Sequence, residues 1–328
     1  MPMVQGGKPV SVKDDPSRPI VEPWAARRIA FHGSAPWVEW ARGTIARACE
    51  RHCLHIEVLA LPETLTPAAI NDAKTSSQIV LLIEDPAQMI ARRATASPFL
   101  EALRAAVATA AAACELARHH GAKAIEVDTD NEFRTDSLLN LLGIPHCDAV
   151  SEAVVEVSDT GLSTLSPGEN LDTVEACLTP LLQGVSLKRP ISLRWPREVF
   201  FTGDQPGMSL PETFDIAGAA RVLSYGPYFP LPTGRWRVVP MLGFSRHVGR
   251  MPFLIEVVCE GVIHRAYFEA RRAGIFSLPF ELELDANRMG IPVEIRLVSQ
   301  DSALEGQVAL VEVGFEEAAC CSQISLDP

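Results

Sequence analysis

The sequence has no uninterrupted apolar run of the roughly 20 residues that a membrane-spanning helix needs. Its first residues, MPMVQGGKPVSVKDDPSRP, carry lysines and prolines but no apolar stretch of the kind that serves as a secretory signal. A cytoplasmic address without membrane insertion is therefore the expectation. Positive charge is short as well: 29 Lys and Arg stand against 41 Asp and Glu, a net charge of -12 at pH 7. An acidic surface argues against nucleic acid or an anionic membrane as partner. No internal repeat or low-complexity tract is present, which excludes solenoids and fibrous folds. The eight cysteines follow no disulfide spacing and sit mostly inside apolar patterns, as reduced core thiols do. Cys49 and Cys53 with His52 and His55 could be drawn as a metal cluster. Cys49 and His52 fall on the apolar stripe of a helix, however, and His55 falls in the following strand, so no metal is expected there.

What is present is a chain of 328 residues, 47% hydrophobic and 21% charged, enough for two domains with cores of their own. After a flexible tail over residues 1–27, a strand over Arg28 to His32 runs into Gly33-Ser34-Ala35-Pro36. A helix follows with Trp37, Trp40, Ala41, Thr44, Ile45, Ala48, Cys49 and His52 at steps of three and four. Leu54 to Leu61 reads as a second strand, and Thr66-Pro67 caps a short helix. The apolar run of Gln78 to Ile83 reads as a buried parallel strand stopped by Asp85-Pro86. From Ser97-Pro98 the longest helix runs to His119-His120-Gly121, then come a strand over Lys123 to Val127 and a helix over Asp136 to Leu142. Strands alternating with helices predict a parallel, doubly wound sheet over residues 28–185. Ala153 to Val157 is a candidate strand, and Glu169 to Leu182 a helix disturbed near Pro180.

Residues 186–212, rich in proline, read as an ordered connector. Beyond it the period drops to two, with strands expected over Arg221 to Ser224, Arg235 to Leu242, Phe253 to Cys259, Val262 to Phe268, Phe276 to Leu284, Val293 to Ser299 and Val308 to Phe315. The fold class expected is α/β plus all-β: a P-loop-like parallel domain followed by an antiparallel, jelly-roll-like β-sandwich over residues 213–318, with a tail over 319–328.

Loops at the carboxyl ends of parallel strands are where such domains bind ligands. The acids Glu84, Asp85, Asp128 and Asp130 gather there and could hold a divalent cation, but helix caps and turns account for them. His32 is a candidate base at the end of the first strand, with a hydrogen-bonded structural role as the simpler reading. His119 and His120 place favourable charge at a helix end, and Trp37 and Trp40 read as core.

Taken together, residues 28 to 145 resemble the P-loop sulfotransferase family. Phe31-His32-Gly33-Ser34-Ala35-Pro36 stands where that family places its 5′-phosphosulfate loop, and Ile83 to Arg93 where it carries its 3′-phosphate motif. Ala117 to Asp128 followed by Leu138 to Ile144 resembles its later helix, strand and leucine-rich helix. The resemblance implies a fold and, in an active copy, the donor 3′-phosphoadenosine 5′-phosphosulfate. At the position of the family's phosphate-binding arginine stands Glu84, and at that of its serine stands Arg92. A carboxylate beside a phosphate repels it. The first expectation is therefore a non-catalytic domain without cofactor. The alternative is a transferase in which His32 is the base while Gly33, Ser34 and Arg92 or Arg93 hold the donor.

The stretch Leu223-Ser224-Tyr225-Gly226-Pro227-Tyr228-Phe229-Pro230-Leu231-Pro232-Thr233-Gly234-Arg235-Trp236-Arg237-Val238 resembles sandwich modules of carbohydrate-binding type and modules appended to bacterial glycan-biosynthesis proteins. Tyr225, Tyr228 and Trp236 offer flat faces, and Arg235 and Arg237 polar groups, of the kind that bind sugars. These five are the candidate glycan-binding residues, with turns and core aromatics as the structural reading. The expected role is recognition of a glycan or of a polysaccharide-assembly protein in bacterial surface-polysaccharide production, with a scaffold that binds no small ligand as the remaining alternative. Oligomeric state is not legible in the sequence.

Overall fold

The computed structural model describes residues 27–128, 131–145 and 169–318. Residues 1–26 and 319–328 of the expected tails, Asp130 and the candidate strand over Ala153 to Val157 lie outside them, whereas Arg27 belongs to the first strand.

The first part is a four-stranded parallel sheet in the order β2-β1-β3-β4, formed by β1 (Arg27–His32), β2 (Ile56–Ala60), β3 (Gln78–Ile83) and β4 (Lys123–Glu126). The apolar run of β3 is explained by what covers it. Val80 and Leu82 face α1 (Ala35–His52) and α5 (Asn131–Leu142), in a cluster with Trp37, Trp40, Ile45, Leu138 and Leu142. Ile79, Leu81 and Ile83 face the other way, onto α2 (Pro67–Lys74), α3 (Pro86–Ala94) and α4 (Phe99–His120). The helix starts carry the signals that the sequence announces: the Thr66 side chain accepts from Ala69 N and the Asp85 side chain from Gln88 N. Gly121, at φ +62°, ends α4 in the left-handed conformation that glycine permits. The disturbed helix near Pro180 is two helices, α6 (Glu169–Cys177) and α7 (Thr179–Leu187), with Pro180 in the first turn of the second, where its missing N–H costs nothing.

The second part consists of two six-stranded sheets. In one the path is β13-β10-β16-β5, with β14 also on β10 and β7 on β16; in the other it is β12-β11-β15-β8-β6, with β9 also on β15. The strands are β5 (Ser192–Pro196), β6 (Phe201–Thr202), β7 (Phe214–Asp215), β8 (Val222–Tyr225), β9 (Pro227–Pro230), β10 (Gly234–Phe244), β11 (Pro252–Val258), β12 (Val262–Glu269), β13 (Gly274–Ser277), β14 (Phe280–Leu284), β15 (Pro292–Ser299) and β16 (Gln307–Glu317). All seven expected strand regions are strands. Phe276 to Leu284 is divided at Leu278-Pro279 into β13 and β14, both antiparallel to β10.

The proline-rich stretch read as a connector differs from expectation. Leu193 and Trp195 alternate inward from β5, which pairs antiparallel with β16 and brings a fully buried indole against Phe229 and Phe315. Its prolines are tolerated because β5 closes the edge of its sheet. The two parts also share a core. One continuous buried cluster runs from Ile79, Leu103 and Cys114 through Leu181 to Trp195, Trp236 and Phe315, so α4 is a wall common to both.

Candidate functional site

At the carboxyl end of the parallel sheet, β1 delivers His32, Gly33 and Ser34 beside Glu84 at the end of β3. The Ser34 hydroxyl donates to the Glu84 carboxylate at 2.9 Å, and Arg92 Nη2 lies 2.5 Å from its other oxygen. Glu84 is 1% exposed, so the turn expected to cradle a phosphate holds the chain's own anion. Burial pushes the Glu84 carboxyl above the usual range, opposed by the Arg92 charge and the Ser34 hydrogen bond. Gly33 serves close packing here, since a Cβ on it would stand 2.8 Å from Leu82 Cβ and 2.9 Å from its carbonyl oxygen. Arg92 also lies over the Trp37 ring, 5.4 Å from its centroid.

The side chains named in the transferase alternative all have partners within the protein itself. His32 is 1% exposed and its Nε2 is bonded to Thr109 O at 3.0 Å, and burial lowers its pKa. Ser34 and Arg92 are engaged by Glu84. Arg93 reaches away, to Glu63 at 2.9 Å and Thr109 Oγ1 at 3.2 Å. Of the acids expected at caps and turns, Asp85 caps α3, whereas Glu84 is ion-paired and the Asp128 side chain accepts from Asp85 N. Among the described residues no group of three or more His, Cys, Asp and Glu is placed to hold a metal ion. Cys49 and Cys53 are free thiols, as are Cys114, Cys177 and Cys259.

The carbohydrate-type stretch is where the two parts of the molecule join. Along α4, Arg104 donates from Nε to Pro227 O at 2.9 Å. About three turns further on, the buried Glu115 carboxylate accepts from Thr233 N and, at 3.0 Å, from Thr233 Oγ1. Arg118 then pairs with Glu317 at 2.6 Å. These residues recur on one helix face. This face was missed; the signal that could have found it is Glu115, an acid set among the alanines and leucines of α4, though nothing local points to its partner.

Of the five expected sugar-binding residues, two come together. Tyr225 and Tyr228, both half-buried, have ring centroids 6.2 Å apart, and Phe201 lies 5.5 Å from Tyr225. The Arg104 guanidinium covers Phe201 and Tyr228 at 5.2 and 5.5 Å. The Tyr228 hydroxyl donates to Glu294 at 3.0 Å, and Arg296 binds the same carboxylate at 2.7 Å. Burial, then Glu294, pushes the Tyr228 phenol up to about 12. Gly207 N donates to the Tyr225 hydroxyl at 2.9 Å. The group therefore combines three aromatic rings with two guanidinium groups and a carboxylate. Phe201, Arg104, Glu294 and Arg296 were missed because they come from strands and a helix distant in sequence.

Trp236 is a correction: it is 0% exposed, inside the sandwich core, with Nε1 donating to Pro232 O at 2.9 Å. It cannot stack on a sugar. Arg235 and Arg237 point outward from β10, in the other sheet from Tyr225 and Tyr228, so they do not join the aromatic group. Arg237 pairs with Glu316 at 2.8 Å, and Arg235 lies opposite Glu283 in the β10–β14 register.

No family model matches the chain, and no curated protein matches it in sequence. Among solved structures it is similar to the xylan-binding module CBM15, at 10% identity over 40% of this chain and 98% of the module, with a TM-score of 0.32. Another is a carbohydrate-binding module, CBM36, in complex with calcium and xylotriose, at 10% identity over 37% of this chain and 98% of the module, with a TM-score of 0.26. A third is a cleaved adhesin domain of Lys-gingipain from Porphyromonas gingivalis, at 10% identity over 39% of this chain and 99% of that domain, with a TM-score of 0.28. Among the described residues no helix is long and apolar enough to cross a membrane.

Proposed function

We propose that the chain is a non-catalytic binding protein whose β-sandwich recognises a saccharide beside α4, while the parallel α/β part holds that face in place. The observation that carries this reading is the half-buried group of Phe201, Tyr225 and Tyr228 rimmed by Arg104, Glu294 and Arg296. Flat rings take the apolar faces of pyranoses, and the guanidinium and carboxylate groups at the rim bind hydroxyls with charge-assisted hydrogen bonds. The division of labour we place between Leu187 and Ser192, where the helices end and β5 begins. Bacterial surface-polysaccharide production is the setting suggested by the resemblance of residues 223–238, with a glycan or an assembly protein as partner.

The non-catalytic half of the proposal rests on Glu84. A donor phosphate would have to displace a carboxylate already bound by Ser34 and Arg92. Calorimetry with adenosine 3′,5′-bisphosphate tests it: no heat is expected, and a Kd below about 10 μM overturns it. A glycan array on the full chain, carrying neutral and acidic polysaccharides, tests the binding half. Retention of at least one class is expected, and silence across the array overturns saccharide binding in favour of a scaffold.

A further inference from the structure

The opposite end of the parallel sheet holds a second feature, independent of the sandwich. Between the ends of α2 and α4 and the starts of β3 and β4 lies a cavity of about 360 Å³, lined by Lys74, Ser76, Ser77, Gln78, His120 and Lys123, with Ala73 and Ile79 at its floor. That volume is at the small end of the range for ligand sites.

In a chain of net charge -12, three cation-forming side chains converge on this cavity, and none is paired with a carboxylate among the described residues. Lys74 and His120 stand in the last turns of α2 and α4, where cations offset helix carbonyls. Those carbonyls are already served, however. Asp72 O accepts from Thr75 N at 3.1 Å and Thr75 Oγ1 at 2.7 Å, Ala73 O from Ser76 N at 3.0 Å, and Leu116 O from Ala122 N at 3.2 Å. Lys123 belongs to a strand, and no helix dipole accounts for it. The Ser76 hydroxyl is buried without a hydrogen-bond partner. Gln78 gives its amide N–H to Leu141 O, which leaves its carbonyl oxygen to accept from a ligand.

We infer that this cavity binds a small phosphomonoester, its dianionic phosphate held by Lys74, Lys123 and His120 and its hydroxylated body by Ser76 and Gln78. Two lysines, joined by His120 once the bound dianion favours its protonation, match a dianion better than a single carboxylate, and the space exceeds what a bare phosphate fills. The charged groups facing His120 are Lys74 from α2 and His119 and Glu115 from α4. Burial and the positive neighbours lower its pKa, and Glu115 opposes them. A bound dianion reverses that balance, so binding takes up a proton as pH falls through the imidazole range.

The test is calorimetry at low ionic strength on the full chain, with glucose 6-phosphate, inorganic phosphate, galacturonate and glucose as probes. Glucose 6-phosphate is expected to bind with a Kd below about 1 mM, and the Lys74→Ala/Lys123→Ala variant to bind at least about tenfold more weakly. Lys123→Ala alone, at an exposed strand position, is expected to melt like the parent and still weaken binding, which separates loss of the site from loss of the fold. NMR titration of His120 is expected to show its pKa rising on saturation with glucose 6-phosphate. Equal affinity in the double variant, an unmoved His120, or absence of heat overturns the proposal. Galacturonate binding as tightly as glucose 6-phosphate overturns the phosphomonoester class.

Discussion

The Ser34 hydroxyl and the Glu84 carboxylate meet at 2.9 Å, between the residue that caps α1 and the end of β3. A helix amino terminus at the carboxyl edge of a parallel sheet favours an anion, and here the anion is a side chain fixed in place by Arg92. Glu84→Ala leaves Arg92 and Ser34 without their partner and is expected to cost about 3 kcal/mol, the low end for broken buried pairs, because Arg92 is partly exposed. Glu84→Gln keeps an acceptor for Ser34 without the cost of burying a charge, and a smaller loss is expected. Urea denaturation of the two variants checks the order, and a Gln variant as unstable as the Ala variant would show that the carboxylate's charge is essential to the contact.

The seam along α4 is expected to behave as two separate fastenings. Arg104 and Glu115 lie about 16 Å apart at about 1.5 Å rise per residue. Arg104→Ala loses the Pro227 hydrogen bond and two ring contacts, and Glu115→Ala leaves Thr233 unsatisfied. Each is expected to cost about 1–3 kcal/mol. Their effects should add within about 0.5 kcal/mol in chemical denaturation, because sites so far apart share no partner.

Asp128 gives a pH dependence with a defined sign. Burial, with Glu84 and Asp85 nearby, raises its pKa from 3.8 to about 6, while the hydrogen bond from Asp85 N opposes the shift. The folded chain therefore holds this proton more tightly than the unfolded one. The stability it contributes is full below the unfolded value and is lost as pH rises through about 6. Asp128→Asn keeps the acceptor for Asp85 N and removes the charge. At neutral pH the variant is expected to be more stable by on the order of 1 kcal/mol, a figure discounted for the exposure of the group. Below about pH 4 the difference should vanish. Thermal melts across that range decide it.

Trp236 and Tyr225 separate core from surface within one sequence motif. Trp236→Phe loses the bond to Pro232 O and some packing, so a loss of about 1–2 kcal/mol in stability is expected. Saccharide affinity should be unchanged, since the ring is fully buried. Retention on immobilised polysaccharide, measured for the folded variant, checks this.

Periodicity made most of the fold legible. The apolar run of β3, the three-and-four stripe of α1 and the clean alternation of β14 and β15 each report burial that a regular element imposes. β5 was hidden because Pro190 and Pro196 bracket it, and prolines that mark a loop elsewhere are acceptable at a sheet edge. Sites were less legible for a different reason. The substitution of Glu84 for a base could be read, but not that Ser34 and Arg92 would turn to meet it. The aromatics of residues 223–238 were visible as residue types, whereas alternation along β10 alone decides that Trp236 faces the core and Arg235 and Arg237 face out. The group around Tyr225 and Tyr228 draws on α4, β6 and β15, and no local pattern announces such a convergence.

The most direct measurement is calorimetric titration of the polysaccharide best retained on the array into the full chain and into Tyr225→Ala. The expected result is saturable binding by the parent, weakened at least about tenfold in the variant through loss of ring stacking, with both proteins melting cooperatively. Equal affinity in the two would contradict a saccharide site at the Phe201, Tyr225 and Tyr228 group.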